Sequence, residues 1–140
     1  MTRPRKRILL VCPDEMEASY LSCLLYVRGY CVLAESDAAG ALDRAISTGI
    51  DLALVTFELE GIDGNELTRL LKDLLPDRPV VLTSNLMSGG AREHYADTFL
   101  GKDTSRARLI EVLKMMSQRK RGPKKQPKSV TVAEAEVCIA

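Results

Sequence analysis

Asp51-Leu52-Ala53-Leu54-Val55-Thr56 runs directly into Phe57-Glu58-Leu59-Glu60 and then Gly61-Ile62-Asp63-Gly64-Asn65-Glu66-Leu67. The first six residues are a short apolar run with a β-branched end, the pattern of a strand buried on both faces. A glycine-bounded turn follows. Leu67, Leu70, Leu71 and Leu74 then recur on one stripe, which marks an amphipathic helix over 65–75. Strand, turn and helix in immediate succession are half of a parallel crossover unit.

The same alternation extends along the chain. Strands are predicted over 7–12, 30–34, 51–55, 79–83 and 98–101. Helices are predicted over 14–28, from the Asp37 cap to Gly49, over 65–75, weakly over 87–95, and over 104–118. The expected inward stripes are Ala18, Leu21, Leu24 and Leu25 in the first helix, Ala38, Ala41, Leu42 and Ala45 in the second, and Leu109, Ile110, Leu113 and Met116 in the last. Gly89-Gly90 weakens the fourth helix. Five such units imply an α/β domain with helices on both faces of a parallel sheet. Right-handed crossovers favour a doubly wound, flavodoxin-like sheet with strand order 2-1-3-4-5. Its functional crevice lies at the carboxyl ends of the strands, lined by Cys12-Pro13-Asp14-Glu15, Thr56 to Glu58, Thr83-Ser84-Asn85 and Gly101-Lys102-Asp103.

Composition sets the limits of function. The chain has 140 residues, 46% of them hydrophobic, and no tryptophan, so one domain with an aliphatic core is expected. Residues 1–118 read as that domain and residues 119–140 as a basic, disordered tail. The net charge of +1 conceals a segregation: residues 8–113 carry 17 acidic and 9 basic side chains, while both ends are basic. Cys12, Cys23, Cys31 and Cys138 lack metal-ligand spacing and read as free thiols in a reducing cytoplasm. The apolar run Ile8 to Cys12 is too short for a secretion signal, and no stretch approaches a membrane span. No glycine-rich loop follows the first strand, which argues against nucleotide and flavin binding and leaves no cofactor implied.

In order and spacing, residues 6–118 resemble a bacterial response-regulator receiver domain. The resemblance implies an acidic pair after the first strand that helps bind magnesium, an aspartate phospho-acceptor ending the third, a serine or threonine ending the fourth, and a lysine after the fifth. Cys12 and Pro13 fall on the acidic pair, and Thr56 on the acceptor. None is a carboxylate, and thiol or proline suits magnesium badly. Thr83 matches the switch hydroxyl, Phe99 the switch aromatic and Lys102 the lysine, with Asp103 where a proline commonly follows.

The chain therefore reads as a degenerate receiver, or pseudo-receiver: no enzyme, no metal site, but a protein-interaction module of a two-component or phosphorelay pathway. The interaction face implied by the family is the fourth helix, fifth strand and fifth helix. A homodimer remains open. One rival is a phosphorylatable receiver using displaced acids, Asp14 with Glu58; Asp14 reads more simply as a helix N-cap. A second rival is a nucleic-acid-binding regulator acting through the basic tail, which lacks aromatics for stacking. Lys102 reads equally as a retained switch lysine or as a partner of Asp103 or Glu58. His94 reads as an exposed side chain. Cys12 reads as core sooner than as a redox thiolate activated by Lys102.

Overall fold

The computed structural model describes residues 5–86 and 94–118. The expected helix over 87–95 falls almost wholly, and the basic tail wholly, outside the described residues. Five strands, β1 (Arg7–Val11), β2 (Cys31–Glu35), β3 (Leu52–Thr56), β4 (Val80–Thr83) and β5 (Thr98–Leu100), form one parallel sheet in the order β2-β1-β3-β4-β5. The described helices are α1 (Glu15–Val27), α2 (Ala38–Ser47), α3 (Gly64–Leu74) and α4 (Arg106–Gln118). This is the doubly wound arrangement expected from the sequence.

Strand parity sorts the core into two layers. Ile8, Leu10, Leu52, Leu54 and Val81 meet Leu21 and Leu25 of α1 and Leu109, Val112, Leu113 and Met116 of α4. Leu9, Val11, Ala53, Val55, Val80, Leu82 and Phe99 meet Ala41 and Ala45 of α2 and Leu67 and Leu71 of α3. Each fully buried leucine removes roughly 1.5–3 kcal/mol of apolar surface from water. Aliphatic burial on both faces of β1 and β3 is therefore what holds the centre of the sheet.

Local signals place the helices. Asp14, Asp37 and Asp63 cap α1, α2 and α3, their carboxylates accepting from the backbone N–H of Met16, Gly40 and Glu66 at 2.8–3.0 Å. Gly29 closes α1 with φ +98° and Gly49 follows α2 with φ +88°, backbone conformations that disfavour a side chain. One predicted stripe needs correction. In α3 the buried set is Leu67, Thr68 and Leu71, and Leu74 is exposed. Thr68 is tolerated inside because its hydroxyl donates to the Gly64 carbonyl at 2.7 Å.

Candidate functional site

The sheet order brings the ends of β1, β3, β4 and β5 side by side. Thr56 pairs in register with Thr83, and Thr83 with Leu100, so Thr56, Thr83 and Lys102 gather at the same pole from distant parts of the sequence. Cys12 follows β1 and shares parity with Ile8 and Leu10; Thr56 shares it with Leu52 and Leu54. Both face the α1 side at the crevice between strands one and three.

Cys12 is buried and Thr56 is 9% exposed. The Cys12 thiol donates to the Asp14 carbonyl at 3.6 Å, and the Thr56 side chain lies near the sulfur. Burial pushes the thiol pKa above its ordinary value, and the nearby charges of Glu17 and Asp14 add to this. The Asp14 backbone and the Thr56 side chain pull the other way without overcoming it. Burial of this kind disfavours the thiolate, the reactive form of a cysteine.

The donor set does not fit magnesium. Cys12 and Pro13 offer no hard anionic oxygen, and Thr56 offers only a neutral hydroxyl. Among the described residues no group of three or more His, Cys, Asp or Glu is placed to hold a metal ion. The displaced acids are otherwise engaged. Asp14 caps α1. Glu58 turns toward the exit of β4, where one carboxylate oxygen accepts from the Ser84 hydroxyl and the other from the Asn85 N–H at 3.1 Å. Ser84 is only 2% exposed, and its oxygen also accepts from the Leu86 N–H at 3.1 Å. Glu58 thus fastens the loop after β4 to the loop after β3.

That fastening has a measurable worth. Glu58→Ala leaves the Ser84 hydroxyl and Asn85 amide without their carboxylate, an expected loss of about 1 kcal/mol. Denaturation should report the loss, and amide exchange at Asn85 and Leu86 should quicken. Unchanged exchange there would mean that Glu58 does not hold the loop.

The other predicted residues separate. Thr83 is half-buried, its hydroxyl 3.5 Å from the Val55 carbonyl, while its own carbonyl accepts from the Phe57 N–H at 2.7 Å. Phe99 is buried against Val80 and Leu82, not displayed on the surface. Lys102 is exposed and pairs with neither Asp103 nor Glu58, which corrects the paired reading. His94 is half-buried with its ring 5.7 Å from that of Phe99, so it is not the free surface side chain expected. The sequence pointed to Glu58 only as a displaced acid or as a partner of Lys102. The binding of Glu58 to Ser84 has no local signal, because the partners lie 26 positions apart.

Gly64 completes the pole. Its N–H donates to the Phe57 carbonyl at 2.8 Å, which closes the turn after β3. A side chain there would drive into the Thr56 carbonyl and come within 2.6 Å of the Phe57 Cα. The start of α3 therefore rests directly on the backbone at the end of β3.

No protein-family model matches the chain. Among curated proteins it is 32% identical over 72 residues, 51% of its length, to the CAI-1 autoinducer sensor kinase/phosphatase CqsS of Vibrio cholerae, and it spans 10% of that protein. Among solved structures it is similar to a CheY-like response-regulator receiver domain protein of Methanospirillum hungatei, with TM-score 0.73, 24% identity, and 81% of this chain and 94% of that one covered. It is also similar to the response regulator TrrA of Thermotoga maritima in complex with Mg(2+)-BeF, with TM-score 0.68, 25% identity, and 79% and 98% covered. A third similar structure holds the histidine kinase ThkA in complex with TrrA, with TM-score 0.70, 24% identity, and 79% and 97% covered. The fold is that of CheY-like receiver domains.

Proposed function

We propose that this chain is a receiver module of two-component signalling that acts by protein contact and accepts no phosphoryl group. The observation that carries the reading is the pairing of a buried thiol, Cys12, with a buried hydroxyl, Thr56, at the ends of β1 and β3, where acyl-phosphate chemistry needs a carboxylate nucleophile and a metal. The engagement of Asp14 and Glu58 elsewhere supports it, since neither displaced acid is free to serve. The partner is a component of the same kind of pathway. This is supported by the partial match to a sensor kinase and by the likeness to a response regulator solved with its histidine kinase. The module performs no catalysis of its own.

The expected result is no added mass after incubation with magnesium and a small-molecule phosphoryl donor. A stable stoichiometric adduct at the crevice would sink the reading. Affinity for an identified partner should likewise ignore the donor; a tenfold change corresponds to about 1.4 kcal/mol of coupling and would restore a phosphate switch. Surface probes belong on exposed positions such as Arg108, because truncating buried Phe99 reads core stability as well as contact.

A further inference from the structure

Among the described residues, α1 carries a continuous stripe of exposed apolar side chains. Met16 is 79% exposed, Tyr20 52% and Val27 72%, and Cys23 is an exposed free thiol. These four positions advance by four, three and four residues. At 3.6 residues per turn they fall within an arc of about 60°, on a helix about 20 Å long. Leu21 and Leu25, which bury against the sheet, lie on the opposite side. The helix is therefore apolar on two faces: the sheet covers one, and on the other only the Tyr20 ring has a neighbour, the Arg106 guanidinium 5.1 Å above it.

The charges flanking the stripe are sorted by end. Glu15 and Glu17 stand in the first turn. Arg28 is the C-cap, and Arg5 lies over the Tyr26 ring at 5.0 Å beside the last turn. The stripe itself is symmetric about a point midway between Tyr20 and Cys23. A two-fold axis through that point sets Met16 against Val27 and Tyr20 against Cys23. It also sets the acidic first turn of each helix toward the basic end of the other: Glu15 lies on the flank of the opposing Arg5 and Tyr26, while Glu17 is already paired with Arg106 of its own chain at 2.9 Å. A parallel arrangement would bring like charges together and align the helix dipoles.

We infer that the uncovered face of α1 is the contact surface of an antiparallel homodimer, and that its occupant is the α1 of a second copy of this chain. The interface is isologous, as two-fold symmetry requires. Its core is short relative to the roughly 800 Å² per partner of a standard interface, so association is weak and concentration-dependent. The inference is independent of the phosphate-inert reading, because it uses none of Cys12, Pro13, Thr56, Thr83 and Lys102.

Sedimentation equilibrium of the full chain under reducing conditions tests it, from about 10 μM to about 500 μM, the range in which weak interfaces assemble. The weight-average mass is expected to rise toward twice the monomer value. Cys23→Glu, at an exposed position, is expected to keep the chain monomeric throughout with an unchanged circular dichroism spectrum. Glu15→Arg alone and Arg5→Glu alone are each expected to weaken the dimer several-fold by setting like charges together. The double variant is expected to recover most of the native affinity. A monomer at every concentration, including one that binds only a different helical protein, overturns the proposal. So does a dimer indifferent to Cys23→Glu. Failure of the double variant to recover overturns the antiparallel register.

Discussion

Gly64→Ala is expected to destabilise the fold by about 2–3 kcal/mol, the upper part of the range for overpacking a closed site. Helix propensity alone predicts the reverse, since alanine is favoured over glycine by roughly 1 kcal/mol within a helix. The backbone at the end of β3 decides the sign. The new methyl would overlap the Thr56 carbonyl oxygen and sit 2.6 Å from the Phe57 Cα and 2.8 Å from the Thr56 carbonyl carbon. No side chain can swing aside to make room. Either α3 lifts from the sheet, unseating Leu67 and Leu71, or β3 shifts away from its hydrogen bonds to β4. Chemical denaturation of the two proteins measures the difference. An equal or higher midpoint for the alanine variant would mean that the start of α3 is not pinned to β3.

Thr56→Asp, which restores the acceptor carboxylate, is expected to cost about 1–3 kcal/mol near neutral pH. The position is 9% exposed, its neighbour is a protonated thiol, and Lys102 stands out in solvent. Burial without a paired cation raises the pKa of the new carboxyl in the folded state above its unfolded value of about 3.9. The sign follows. Below the unfolded pKa both states are protonated and the penalty is absent. As pH rises, the unfolded state releases its proton first, so the penalty grows until the folded pKa is passed. The stability difference between variant and parent should therefore widen from about pH 3.5 to pH 7. Thr56→Val, which adds no charge, should show no such widening. Magnesium should not rescue the single variant, because Cys12 and Pro13 still supply no anionic oxygen. A pH-independent difference, or stabilisation at neutral pH, would show that a carboxylate is accommodated at this strand end.

The layered architecture was legible because its determinants are local. Leu52 to Val55 is buried along its length, as its unbroken apolar run implies, and Asp14, Asp37 and Asp63 cap the helices that follow them. Boundaries moved by a residue or two where caps and hydrogen bonds decide them; Gly64, read as turn, is the first residue of α3. Contacts between distant segments were not legible. Leu74 continues the leucine stripe of α3 but is exposed, while Leu75, just past the helix end, packs against the core instead. The attachment of Glu58 to Ser84 and Asn85 depends on strand order and on where β4 ends. The apolar stripe of α1 was hidden for a related reason. Met16, Tyr20, Cys23 and Val27 are as apolar as the core-facing Leu21 and Leu25, and only the packed structure shows which side the sheet covers.

The Glu58 fastening also bears on timing. An acyl phosphate carries its own clock, because water eventually cleaves it and the loop it held is released. A glutamate side chain has no leaving group. The bonds from Ser84 and Asn85 to Glu58 belong to the fold itself and need no chemical step to form or to end. A segment held in this way cannot record when a stimulus arrived or ended. On the proposed contact-only reading, whatever it presents to a partner would be presented continuously, and the strength of its message would follow how many copies the cell makes and how quickly it destroys them.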